Sequence, residues 1–263
     1  MTRLEPGAPV ARRVVSLVPS ATETLFALGA GDRVVGVSVF DDFPPEVTRL
    51  PKVGGMVNPS FEAIAALRPD AVVGTQGPLD LAVLDRLQAM GVRVFFPKVE
   101  SVSELRASID SFAALVGRRD EARALQSRID ASLARVRNAV GDRPRPKVLA
   151  VFSQRPMTAA GPGSWVDEIL AAAGGANVVT RGGRYPSLAI EEVLVLAPEV
   201  VLDMTWHEGA GSLAEALARY PAIPAVRDHR VITLHESMVL RPGPRLGDAV
   251  TRIAQALHPD AGL

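Results

Sequence analysis

The sequence predicts an α/β protein of two related lobes, each built on a parallel sheet, joined by a single long helix. Three observations carry this prediction. A phrase occurs twice, running from Pro59 to Val73 and again from Ser187 to Leu202; Phe61 aligns with Ile190, Glu62 with Glu191, Leu67 with Leu196, Pro69 with Pro198 and Asp70 with Glu199, always 129 residues apart. Short β-branched runs alternate with helical patterns throughout. Between the two copies, Asp120 to Val140 holds neither glycine nor proline. An internal repeat of this kind governs the architecture that follows from it.

In the first half the apolar runs are Val14–Val18, Val34–Val37, Ala71–Gly74 and Val92–Phe96. The second half offers Val148–Phe152, Val200–Leu202 and Arg230–Leu234. Near-continuous apolar strands separated by helices read as parallel sheets covered on both faces. Ser20 with Glu23, and Ser164 with Asp167, place a side-chain acceptor three residues before an acid, the pattern that opens a helix. Those helices are expected to end near Gly29 and Gly174. Gly29-Ala30-Gly31 imitates a dinucleotide loop, but phosphate-cradling glycines follow a strand and open a helix, whereas these follow a helix.

Leu125, Ile129, Leu133, Val136 and Val140 recur at steps of 4, 4, 3 and 4. That spacing is one apolar stripe on a continuous helix of about 30 Å, a stiff connector rather than a flexible linker. The glycine- and proline-bearing stretch Gly141 to Pro146 ends it. The expected division is therefore a lobe over residues 1–118, a connecting helix over 119–141 and a second lobe over 142–263.

At 263 residues the chain is long enough for two ordinary domains. Lysine plus arginine balances aspartate plus glutamate at 29 each, which disfavours nucleic acid and anionic membranes as partners. The absence of cysteine removes disulfides, thiolate catalysis and thiolate metal sites. Met1 to Arg13 is polar and lacks the apolar core of a secretory signal, and no run approaches ~20 apolar residues. A Gly-x-Ser-x-Gly elbow, a phosphate loop and a His-Glu-x-x-His motif are all missing, which speaks against an enzyme.

Arg13-Val14-Val15-Ser16-Leu17-Val18-Pro19-Ser20-Ala21-Thr22-Glu23, followed by Leu28 to Val37 and by Asp41-Asp42-Phe43-Pro44-Pro45, resembles the helical-backbone (class III) substrate-binding proteins of ABC importers. The chain is most similar to the cobalamin-binding members, with the haem- and siderophore-binding members as cousins. The likeness runs from about Arg13 to about Leu257. It implies two Rossmann-like lobes on one backbone helix, a ligand held between the lobe tips, and no chemistry performed on that ligand. It implies no required cofactor, a monomer, and an ABC permease with its ATPase as partner. A periplasmic or cell-surface location follows from the resemblance, while the chain as written offers no export signal, so a cytoplasmic carrier of the same ligand stands as the alternative. One glutamate on each lobe meets arginine-rich permease pockets in this family, and Glu62 and Glu191 occupy the matching positions. The competing account gives each acid a helix-dipole role worth ~0.3–1 kcal/mol.

A corrin or porphyrin is broad, flat and mostly apolar, so its site needs aromatic or apolar faces with a few orienting polar groups. By the resemblance, Phe40 matches a ligand-touching aromatic and Tyr185 a stacking tryptophan; Met56 stands where relatives carry another tryptophan. Trp206 and His207 follow a strand at the edge where open parallel sheets hold ligands. His207 and His235 are the candidate axial ligands for cobalt or haem iron, whereas His229 and His258 read as surface residues. Arg241 and Arg245, around Pro242-Gly243-Pro244, suit carboxylates or a phosphate on a bulky ligand. Haem, a ferric siderophore or a bare divalent metal held by His207, His229 or His235 with Asp203 or Glu236 are the alternatives to a cobalt corrinoid.

Overall fold

The structure, a computed structural model, describes residues 9–77, 80–205 and 212–263. They form two compact units: residues up to Arg128 together with Arg241–Pro244, and Ile129–Leu240 together with Arg245–Leu263.

In the first unit, β1 (Val14–Ser16), α1 (Pro19–Ala27), β2 (Val34–Val37), α2 (Phe61–Ala66), β3 (Ala71–Val73), α3 (Leu81–Ala89), β4 (Arg93–Phe95) and α4 (Val102–Val116) follow one another. The sheet is wholly parallel in the order β2-β1-β3-β4. Alternation along each strand sorts its side chains onto two faces. Val15, Val72 and Val94 lie in register on one face and pack with Ile64 of α2 and Leu84 and Leu87 of α3. Phe95 serves the other face, its ring edge-on to Phe112 of α4 at 5.5 Å. Helices on both faces explain why these strands are apolar throughout.

Next comes α5 (Arg119–Val140), 22 residues long, and the boundary between units falls inside it. Its predicted stripe is real: Leu125, Ile129, Val136 and Val140 are buried. In the second unit follow β5 (Lys147–Gln154), β6 (Met157–Ala159), α6 (Trp165–Ala172), β7 (Ala176–Asn177), α7 (Ile190–Leu196), β8 (Val200–Asp203), α8 (Leu213–Leu217), α9 (Pro224–Arg227), β9 (Val231–Thr233), α10 (Ser237–Leu240) and α11 (Leu246–Leu257). Leu149, Val201 and Val231 share one face with Val193 of α7 and Leu213 and Leu217 of α8.

The repeat extends to topology. β7-β5-β8-β9 are parallel neighbours in the same relative order as β2-β1-β3-β4. α2 and α7 begin at the repeated phrase, and β3 and β8 close it.

Two expectations change. The strand expected over Val148–Phe152 runs instead from Lys147 to Gln154 and turns through Arg155 and Pro156 into β6, which pairs antiparallel along the edge of an otherwise parallel sheet. Ser20 does not cap α1: the cap position is Val18 and Pro19 opens the helix, because proline's fixed φ suits a first turn and its missing N–H is one that would have no partner within the helix. Ser20 instead offers its carbonyl to the Thr24 hydroxyl at 2.7 Å. Ser164 caps α6 as expected, accepting from the Asp167 amide at 3.2 Å.

Candidate functional site

Ligands of open parallel sheets sit beyond the carboxyl ends of the strands. In the first unit that edge carries the segment after β2. Phe40 is 64% exposed, a large aromatic left facing solvent. Its ring lies over Gly55, where an added Cβ would stand 2.9 Å from Phe40 Cε2 and would displace the ring. The backbone beneath is held at several points. Ser38 Oγ donates to the buried Asp41 carboxylate at 2.5 Å and accepts from the Phe40 amide at 3.2 Å. Lys52 Nζ donates to the Asp41 carbonyl at 3.1 Å. Burial pushes the Asp41 carboxyl above its usual range, against the opposing pull of Ser38, Thr22 and Lys52. Its Oδ1 has no hydrogen-bond partner among the described residues.

Arg241 belongs to this unit as well. Its guanidinium donates to Asp42 Oδ1 at 2.6 Å and Oδ2 at 3.3 Å, and lies 3.8 Å from Oε1 of the buried Glu23. Its charge is thus directed at carboxylates of its own unit. Met56 is half-buried against the first core, its Cε beside Gly77.

In the second unit Tyr185 is 53% exposed and meets Phe152 of β5 edge-on at 5.6 Å. The segment carrying it is laced to β6 and its continuation. Ala159 donates to the Pro186 carbonyl at 3.0 Å, Gly161 to the Arg184 carbonyl at 2.8 Å, and Leu188 to the Met157 carbonyl at 2.8 Å. A Cβ at Gly161 would fall 2.0 Å from the Gly183 carbonyl oxygen. Gly55 and Gly161 were missed from the sequence because each acts only through a neighbour distant along the chain.

At the end of β8, Asp203 is nearly fully buried. Its Oδ1 accepts from the Thr205 amide at 3.1 Å and hydroxyl at 2.6 Å, and its Oδ2 from the Leu213 amide at 3.3 Å. His235, just past β9, is partly exposed, with Nε2 3.8 Å from Asp203 Oδ1. Trp206 and His207 lie outside the described residues. His229 is an exposed turn residue with φ of 53°. His258 corrects the surface reading: it is 8% exposed, its Nε2 is 3.3 Å from the Gly174 carbonyl oxygen, and burial holds its pKa below the ordinary value. Arg245 donates to Ser237 Oγ at 2.9 Å, and Glu236 pairs with Arg252 at 2.7 Å. Among the described residues no three acids or histidines converge as a metal site. No helix among them is long and apolar enough to cross a membrane.

Glu62 and Glu191 each stand exposed in a first helical turn, of α2 and α7. Other groups do the capping: Ser60 Oγ accepts from the Ala63 amide at 3.2 Å, and Glu192 reaches back to the Ala189 amide at 2.9 Å. Glu62 and Glu191 have no partner among the described residues.

The periplasmic binding protein family model matches residues 14–238. The chain belongs to this family. As a periplasmic binding protein it is a substrate-binding component of transport. It is 25% identical over 248 residues to the vitamin B12-binding protein of Vibrio cholerae, spanning 94% of this chain and 89% of that one. An uncharacterized ABC transporter substrate-binding lipoprotein of Bacillus subtilis is 27% identical over 256 residues, 95% of this chain and 81% of that protein. Among solved structures, the periplasmic heme-binding protein RhuT of Roseiflexus sp. RS-1 superposes with a TM-score of 0.82 at 30% identity, covering 95% of this chain and 99% of the other. The α/β fold expected from the sequence is shared with that solved structure.

Proposed function

We propose that this periplasmic binding protein captures a cobalamin-like tetrapyrrole outside the cytoplasmic membrane and delivers it, as a monomer, to an ABC permease driven by its ATPase. The observation that carries the reading is the pair of solvent-facing aromatics at the carboxyl edges of the two sheets, Phe40 at 64% and Tyr185 at 53% exposure. Exposed rings on firmly bonded backbone suit a broad apolar guest, since little ordering remains to oppose binding. Met56, Trp206 and His207 complete the proposed contacts, and Arg241 is assigned there through its proximity to the Phe40 segment. Likeness to the Vibrio cholerae protein supports the corrinoid, and α5 is taken as the connector of two lobes over residues 1–118 and 142–263. Glu62 and Glu191 are the proposed permease contacts, supported by their exposure and free carboxylates.

Haem is the second reading, favoured by likeness to RhuT and by His235 at the sheet edge, where an imidazole suits an axial position. Titration with cyanocobalamin and with haemin, followed by absorbance and calorimetry, separates the two. Saturable binding of one selects it; binding of neither removes the tetrapyrrole reading.

A further inference from the structure

Beside Glu191 the second unit carries a groove of about 510 Å³. Its walls include Val179, Leu188, Val195 and Leu196, and Glu191 and Arg181 stand among its charged residues. Val179 is buried in the second core, whereas Val195, on α7 one turn beyond Glu191, is 85% exposed. An exposed aliphatic side chain beside a carboxylate that no described residue pairs makes a surface both apolar and anionic. The matching helix of the first unit is furnished differently: there Phe61 lies beneath the Arg86 guanidinium, 3.5 Å from its ring centre. The two glutamates share the repeat but not their surroundings.

We propose that the groove along α7 receives an aliphatic or aromatic side chain of the importer's permease, adjacent in that partner to the basic residue that meets Glu191. The inference rests on the docking role proposed for Glu191 and adds an apolar contact to it. Charge complementarity selects the occupant: the carboxylate asks for a cation, and the apolar wall next to it asks for a neighbouring apolar group on the same partner. Rim charges steer and orient, while desolvated apolar anchors hold the complex once formed. The added contact therefore acts on dissociation rate, and the charge pair on association rate.

Val195→Asp tests this sharply, because it adds negative charge that would strengthen attraction to a basic partner while removing the apolar contact. Binding to the cognate permease in nanodiscs is measured by biolayer interferometry, alongside Val195→Ser and the Glu62→Gln/Glu191→Gln double variant. The expected result is affinity lowered about tenfold or more by Val195→Asp, mostly through faster dissociation. Tetrapyrrole titration stays unchanged and the melting temperature of Val195→Ser stays near wild type, as befits a side chain 85% exposed. Unchanged or tighter permease binding by both Val195 variants, with binding lost in the glutamate double variant, overturns the groove and leaves the docking glutamates standing. Full binding by all three variants overturns both. Self-association of the wild type in multi-angle light scattering that Val195→Asp abolishes assigns the groove to a second copy of this chain and also overturns the proposal.

Discussion

Arg241 clasps Asp42 with two hydrogen bonds across 199 positions of sequence, and the buried Glu23 stands behind it at 3.8 Å. A planar guanidinium meeting both carboxylate oxygens fixes orientation as well as distance. The segment after α10 thereby pins the stretch that presents Phe40 two residues away. Arg241→Ala removes the cation that faces the buried Glu23 as well as both bonds to Asp42, and is expected to cost about 3 kcal/mol, the lower end for a broken buried pair because the guanidinium keeps some exposure. Asp42→Asn, at a carboxylate more than half exposed, should cost under about 1 kcal/mol. Urea denaturation of both variants checks the ordering. Equal losses would mean that Asp42, not Glu23, carries the energy of the cluster.

The exposed aromatics give the most direct test of the binding site. Phe40→Ala and Tyr185→Ala are each expected to weaken tetrapyrrole binding by on the order of 1–3 kcal/mol, the loss of one aromatic face. Gly161→Ala should weaken it as well without touching ligand, because its Cβ cannot coexist with the Gly183 carbonyl and the Tyr185 segment must lift from β6. Hydrogen exchange at the Gly161 and Leu188 amides reads that displacement independently of affinity. Protection retained in Gly161→Ala, with affinity intact, would show the segment can shift without moving the ring.

Much of this architecture is legible from the chain. The repeat at an offset of 129 residues locates α2 with α7 and β3 with β8, and the stripe from Leu125 to Val140 marks α5 because helix period and burial coincide there. β6 escapes detection because an antiparallel edge strand of three residues has no apolar run of its own. The Arg241 cluster escapes for another reason: its partners sit in the first forty-two positions and nothing local records that the chain returns to them. His258 misleads because position near a terminus says little about burial once α11 has packed.

Exposed, unpartnered carboxylates on short helices contribute little to folding. Glu62→Arg together with Glu191→Arg should therefore leave tetrapyrrole affinity and melting temperature near wild type, the change in helix-dipole energy being about 1 kcal/mol or less per site. Stimulation of the permease's ATPase in nanodiscs should disappear, because charge reversal turns steering into repulsion. Normal stimulation by the double variant would return both acids to the dipole role.

Two buried titratable groups, Asp41 and His258, push stability in opposite directions along the pH scale. Burial raises the Asp41 carboxyl above 3.8, so the fold binds its proton more tightly than the unfolded chain does. Its contribution is fully present below that value and is lost as pH climbs through the raised pKa, which leaves an ionised, half-satisfied carboxylate destabilising the fold at neutral pH. Asp41→Asn keeps an acceptor for Ser38 and removes the charge. It is expected to raise the melting temperature at pH 7, with the gain shrinking toward pH 4 and below. His258 behaves inversely: burial lowers it below 6.5, aided by the charges of Arg143 and Arg230 and opposed by the Gly174 carbonyl. The unfolded chain then takes up a proton the fold refuses, and stability falls as pH drops from 6.5 toward the depressed value. His258→Gln, which retains a donor for Gly174, should flatten that decline between about pH 6.5 and 5. Melting curves of wild type and both variants across pH 4 to 7 check the two signs separately. An Asp41→Asn gain that grows on acidification, or a His258→Gln profile as steep as wild type, would show that groups other than these set the pH dependence.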